Sequence, residues 1–301
     1  MLKGLAITPP VIGRISIGRV VERNGKRLPE KDDQFTLTSQ VQNRDGWVLH
    51  PLDEALRQAG GEKSKLRSIP VRVLFNDPAL NLRADYSLFD RTTGRPVCVG
   101  NGETSRRVGT DGVSVQPCVG PDTCAFANGE CKAYARFNVV VGDADEDALG
   151  SFVLRTTSFN TIRTIAARLQ YFNAVSGRRL ACLPLELKLR GKSTTMSYRA
   201  AIYYVDLVVR SGVTLEQAIG KARELDELRK GCGFDQDALD EAARQGFANG
   251  AFEDLEEDVP AVVEEFYSDA ATDPAETGSA KQVPASLRGR LESKVARMGG
   301  S

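Results

Sequence analysis

The chain has 301 residues, 41% of them apolar, and its 40 Lys and Arg balance 40 Asp and Glu. That is enough for one large domain or two modest ones with a real core. No apolar run approaches the roughly 20 residues that a bilayer span requires, and the opening MLKGLAITPPVIGRISIG lacks the layout of a secretory signal, so no membrane association and a cytoplasmic location are expected.

Residues 11–21, VIGRISIGRVV, alternate apolar and polar side chains as a half-buried strand does. A polar loop, ERNGKRLPEKDD, then leads to a second strand, FTLTSQV, and PLDEALRQAG reads as a short helix ended by Gly60 and Gly61. IPVRVLF, RADYSLFD and RPVCVG read as three strands, separated by the turn-like NDPALN and RTTG. The stretch 100–131 is rich in Gly, Pro and Asp and too poor in apolar residues to build a core of its own.

AYARFNVVVG and SFVLRTTS are strand candidates, and TIRTIAARLQYFNAV follows as a helix with Ile162, Ile165, Leu169 and Phe172 on one face and Ser158 or Asn160 as its cap. LPLELKLR and YRAAIYYVDLVVR, joined by GKSTTMS, form a hairpin with one apolar face. Thr214 to Gln217 is a capping box that opens a helix to about Lys230, and DQDALDEAARQGFANG is a further helix. These elements predict an α+β fold, a mostly antiparallel sheet body over 1–232 with a metal-bound loop at 98–131. Residues 233–301 are expected to form a helical tail, acidic and then basic, and partly disordered.

Net neutrality conceals a polarity along the chain. Residues 224–276 carry 17 acids against 3 bases, whereas residues 151–210 carry 10 bases against 2 acids. Aromatic rings are interleaved in the basic block, which is the composition of a surface that tracks phosphates and stacks on bases. The phosphate-contact candidates are Arg163, Arg178, Arg179, Arg190, Lys192 and Arg199, with Tyr198 or Tyr203 as the stacking ring. A solvated basic face over a core that absorbs some of the rings is the plainer account of the same residues.

Four of the six cysteines, Cys98, Cys118, Cys124 and Cys131, follow the spacing C-x19-C-x5-C-x6-C. In a reducing compartment such a quartet points to a metal before disulfides, with structural Zn²⁺ ahead of an iron–sulfur cluster. A catalytic zinc is disfavoured, because it keeps a water position and draws on His or carboxylate ligands, and the chain has the single His50. His50 reads as a loop residue at a helix start. No catalytic residues are assigned.

The run from IPVRVLFNDPALNLRADYSLFDRTTGRPVCVGNGE through CVGPDTCAFANGECKAYARFNV and RTTSFNTIRTIAARL to LACLPLELKLRGKSTTMSYRAAIYYVDLVVR resembles the recombination directionality factor-like family of phages and mobile elements. Its proteobacterial members often carry the label "hydrolase or metal-binding protein". The likeness covers about residues 1–250. It implies a non-enzymatic accessory of DNA recombination that binds a serine integrase on its DNA sites and switches it from integration to excision. The four cysteines, as metal ligands, and the Ser158–Arg163 segment are the positions that match its motifs. The expected partners are DNA, including single strands, a recombinase or integrase, and a second copy of the chain. The alternatives are a single-stranded DNA-binding or annealing protein and a metal-dependent hydrolase.

Overall fold

The computed structural model describes residues 10–23, 26–44, 46–60, 65–142, 150–193, 201–247, 262, 263, 266 and 267. The candidates Tyr198 and Arg199 and the tail beyond residue 267 lie outside the described residues. An α+β body carries a mostly antiparallel sheet and few helices. Its strands are β1 (Val11–Arg23), β2 (Lys26–Asn43), β3 (Gly46–Leu49), β4 (Ser68–Arg72), β5 (Leu82–Phe89), β6 (Pro96–Gly100), β7 (Thr104–Gly109), β8 (Gly112–Pro117), β9 (Lys132–Val141), β10 (Ser151–Thr156), β11 (Leu185–Ser193) and β12 (Ala201–Val209). The helices are α1 (Pro51–Ala59), α2 (Pro78–Asn81), α3 (Phe159–Val175), α4 (Leu215–Gly231) and α5 (Gln236–Phe247). None among the described residues is long and apolar enough to cross a membrane.

The main path of the sheet runs β3-β2-β1-β10-β9-β5-β6-β7-β8. Among the described residues only β1 with β10 is a parallel pair. Strand β9 links this path to a branch: its first part pairs with β5, while Val140 and Val141 pair with β4, which in turn pairs with β11 and through it β12. Alternation along β9 explains why it holds the centre. Ala135, Phe137, Val139 and Val141 point inward and are buried, while Tyr134, Arg136 and Asn138 take the other face.

Helix α3 closes the core from the inner side. Ser158 caps it, accepting the Thr161 N–H, and Ile162, Ile165, Leu169 and Phe172 form one buried stripe against Phe137, Leu154, Leu187 and Val205. Burying each such side chain contributes about 1.5–3 kcal/mol, so this stripe sets where α3 lies. The capping box at Thr214 is formed on both sides.

Three segments differ from the sequence expectation. The described residues of the polar stretch ERNGKRLPEKDD continue the β1–β2 pairing, with Arg19 in register with Glu30 and Glu22 with Arg27. A backbone ladder is made by main-chain groups and forms without apolar side chains when a partner strand is at hand. NDPALN is a one-turn helix, because the Asp77 carboxylate accepts the Ala79 N–H and Pro78 starts the turn. The Gly-rich 100–117 region is a hairpin, β7–β8.

The compact unit closes at Phe266 and so includes α5. Ala243 and Leu239 of α5 pack on Phe75, Leu80 and Leu74, and the Asp240 carboxylate accepts the N–H groups of Asn76 and Asp77 at 3.0 Å each. Burial raises the Asp240 pKa against the pull of those hydrogen bonds and of Gln236.

Candidate functional site

The four clustered cysteines come from separate elements. Cys98 lies on β6, facing Leu88 of β5 and Arg107 of β7. Cys118 directly follows β8, its N–H donating to Glu103 O at 2.9 Å. Gly100 stands two residues beyond Cys98 on the same face, and a β-carbon there would meet Cys118 Sγ at 2.9 Å, so the glycine makes room for the sulfur. Thr123 Oγ1 holds the Val119 carbonyl before Cys124, and Asn128 and Gly129, both at positive φ, turn the chain back to Cys131 at the foot of β9.

All four thiols are free and half-buried. Burial pushes the Cys131 thiol up to about 11, and charge on Cys98, Cys124 and Cys118 pushes the same way, which places the four sulfurs in one neighbourhood. They do not meet at a point: among the described residues, no group of three or more His, Cys, Asp or Glu forms a set that could hold a metal ion. The donor chemistry suits a thiophilic ion nonetheless, being all sulfur on a loop with little apolar cover. Arg107, opposite Cys98, stacks on Phe126 with its guanidinium 3.9 Å from the ring centroid and brings positive charge to the cluster. His50 is elsewhere. It caps α1, accepting the Leu52 N–H, packs edge-on against Phe152 at 4.9 Å, and is pushed down in pKa by burial.

The basic candidates divide between the two ends of α3. At its start, Lys192 Nζ donates to Asn160 Oδ1 at 2.8 Å, and Arg190 and Arg168 converge on Asp206 at 3.4 and 3.1 Å. Arg163 is exposed one turn after Phe159, itself 57% exposed. Ile202 faces Lys192 in register and is 39% exposed. At the other end of α3, Arg178 is exposed at positive φ, while Arg179 turns inward to Asp226 at 2.8 Å. The 17 residues of α3 separate the two groups by about 25 Å.

Tyr203 lies on the opposite face of β12 from Arg190 and Lys192. Its ring covers Gly191, 3.3 Å from where a β-carbon would stand, and it lines a groove with Asp33, Arg67 and Leu189. Tyr204 is the ring on the basic side, with Lys192 Nζ 6.0 Å from its centroid.

A further basic group escaped sequence reasoning. On the outer face of the sheet, Arg83 of β5, Arg136 of β9 and Arg155 of β10 stand side by side in register. They are far apart in sequence, and only strand pairing aligns them.

A family model described as Gp3-like, recombination directionality factor-like, matches residues 12–210, from β1 to just past β12, and so takes in the cysteine cluster, α3 and the outer arginines. No curated protein and no solved structure matches the chain.

Proposed function

The chain belongs to the recombination directionality factor-like family, and from that premise we propose that it is a non-enzymatic accessory of DNA recombination in a mobile element, acting by binding DNA together with a recombinase. The observation that supports this reading is that cations lie beside exposed rings within the family match. Arg163, Arg190 and Lys192 gather at the start of α3 beside Phe159 and Tyr204, and Arg178 is presented at its other end. Cations beside rings suit single strands, whose bases are free to stack.

A structural Zn²⁺ held by Cys98, Cys118, Cys124 and Cys131 belongs to the same proposal. When bound, the ion supplies cohesion to a loop that has little core of its own. The protein residues carry the rest: Gly100 leaves space for Cys118, the Asn128–Gly129 turn returns Cys131, and Arg107 offsets thiolate charge. An iron–sulfur cluster is the competing occupant, and the visible spectrum of anaerobically purified protein separates the two.

A second reading, a protein-docking module with weak or no DNA contact, draws on the exposed apolar groups Phe159, Tyr171 and Ile202 along the same surface. One measurement decides between them. Fluorescence anisotropy with labelled oligonucleotides is followed across a salt series, with and without the recombinase of the same element. Direct binding that weakens steeply with salt supports the DNA-contact reading. A response only in the presence of recombinase supports the docking module and removes the direct contact.

A further inference from the structure

Asp206 of β12 is a buried carboxylate that two arginines share. Arg168 Nε of α3 donates to its Oδ1 at 3.1 Å and Arg190 Nε of β11 to its Oδ2 at 3.4 Å, one arginine on each oxygen. The Asp206 side chain is 6% exposed, whereas each arginine side chain is 45% exposed. A buried charge must be paired, and one cation suffices for that. The second is surplus. Lys188 faces Asp206 in register, but its Nζ lies 3.6 Å from Glu186, which the Ser211 N–H and Oγ also hold at 2.9 Å each.

Each guanidinium is anchored through Nε alone. Among the described residues neither makes another hydrogen bond, so the Nη amines of both remain for a ligand. Because the anchor is one carboxylate, it holds the two planar groups side by side and offsets the repulsion between them. The result is a pair of preorganised forks, with two positive charges against one negative. Such forks bind phosphate oxygens two at a time. An internal phosphodiester has one charge and two free oxygens, which a single fork satisfies. A phosphate monoester carries a charge of about −1.5 to −2 at neutral pH and three strong acceptor oxygens, which match two forks. Arg190 also faces Tyr204 in register, and Lys192 is the next position on the same side of β11, about 6.8 Å further along. A ring and a further cation beside the forks suit the end of a strand, with a base on the ring and the next phosphate at Lys192.

We propose that Arg168 and Arg190, held together by Asp206, form a subsite for a phosphate monoester, the terminal phosphate of a DNA strand. The proposal rests on the DNA-contact reading for the source of the phosphate. It goes beyond that reading in assigning Arg168 and in the group selected, an end of a strand and not its length. Arg163 and Lys192 serve internal phosphates, and the paired forks fix where the strand begins. Arg190 therefore adds little to a strand that ends in hydroxyl, because Asp206 takes part of its charge, and much to one that ends in phosphate.

The test uses the full chain and internally labelled oligonucleotides of one sequence that end in 5′-phosphate, in 3′-phosphate or in hydroxyl at both ends. Phosphorus NMR of inorganic phosphate, at matched ionic strength, gives a readout independent of DNA. Wild type is expected to bind a phosphate-ended form about ten-fold tighter than the hydroxyl-ended one, as charge-assisted hydrogen bonds provide. The end that gives the gain identifies the terminus. Arg168→Gln and Arg190→Gln should each bring that ratio close to one, whereas Lys192→Gln should weaken every form and leave the ratio. Asp206→Asn adds net positive charge, yet it should lower the ratio by freeing the forks from their common anchor; a purely electrostatic face would bind all forms tighter. If Asp206→Asn unfolds, Arg168→Lys keeps the charge, removes one fork and should lose the ratio. Equal affinity for all three forms, or a preference that survives Arg168→Gln combined with Arg190→Gln, overturns the proposal and leaves the DNA-contact reading standing. If no oligonucleotide binds while wild type, but not that double variant, broadens the inorganic phosphate signal, the monoester subsite stands and DNA falls as its source. If neither ligand responds, both fall.

Discussion

Thr161 Oγ1 of α3 accepts the backbone N–H of Val205 at 3.1 Å, and both residues are fully buried. Among the described residues strand β12 pairs on one side only, with β11, so its other edge presents backbone groups that must find partners. The helix supplies one, and in doing so it fixes α3 against the hairpin that carries Arg190 and Lys192. Thr161→Val removes the acceptor while keeping the shape. It should cost about 1–3 kcal/mol, the penalty of a buried donor left without its bond, read as a lower denaturant midpoint with an unchanged slope. No loss of stability would mean that the helix–edge bond contributes nothing net.

Arg179 is a phosphate-contact candidate by sequence, yet its guanidinium meets Asp226 at 2.8 Å, and Lys230 joins the same carboxylate at 2.8 Å. Burial alone raises the Asp226 pKa, but Lys230 and Arg179 outweigh it and hold the carboxyl below its usual value. A carboxylate depressed in the folded state stabilises the protein above its unfolded pKa, and that contribution is lost as pH falls through the lower, folded value. The unfolding midpoint should therefore drop on acidification below about pH 4, and Asp226→Asn should flatten that part of the profile. Arg179→Ala should cost about 0.5–1 kcal/mol at neutral pH and leave oligonucleotide affinity nearly unchanged. A large affinity loss in Arg179→Ala at unchanged stability would return this residue to the DNA surface.

What the sequence made legible were features governed by local rules. The stripe Ile162, Ile165, Leu169 and Phe172, the Thr214–Gln217 box and the β11–β12 hairpin follow from periodicity and capping alone, and the structure has them all. The cysteine quartet was visible because its members crowd one stretch of chain. What was not legible depends on pairing between distant segments. The polar run after Arg23 is strand because β1 already offers it a partner. The arginine row exists only once β5, β9 and β10 are in register, and Tyr204 replaces Tyr203 beside Lys192 because alternation from β11 decides which ring faces which side. Phe266 stands out in sequence only as one of several apolar residues among carboxylates; its place in the Phe89–Tyr134 socket depends on strands far away in the chain.

The α3 surface makes a quantitative prediction about salt. Each phosphate contact removed should lower the slope of log affinity against log salt by about 0.7 for single strands and 0.9 for duplex. Lys192→Gln and Arg163→Gln should each weaken binding of all sequences alike and reduce the slope by about one contact. Arg190→Gln should do less, because Asp206 already takes part of its charge at 3.4 Å. Equal slopes in wild type and in the Lys192 and Arg163 variants would exclude this surface from phosphate contact.

The thiol cluster predicts a dependence of folding on metal. Protonated thiols must lose their protons to bind an ion, and Cys131, with its pKa pushed up to about 11 by burial, resists doing so unaided. Zinc capture should therefore strengthen with rising pH and release protons in proportion to the thiols engaged. Chelation, or Cys124→Ser, should lower the unfolding midpoint and expose the 98–131 segment to proteolysis, while the helical signal of α3 and α4 persists, since their packing is apolar and remote. Gly100→Ala offers a sharper version without touching a ligand. Its added β-carbon stands 2.9 Å from Cys118 Sγ and equally close to Ser105 Cβ, at 2.8 Å, and the Thr104 carbonyl, at 2.9 Å, so it should shift the β6–β7 hairpin together with one sulfur and weaken zinc retention against a colorimetric chelator, with all four cysteines intact. Unchanged zinc content and stability in both Cys124→Ser and Gly100→Ala would show that these sulfurs lie close together for packing and not for an ion.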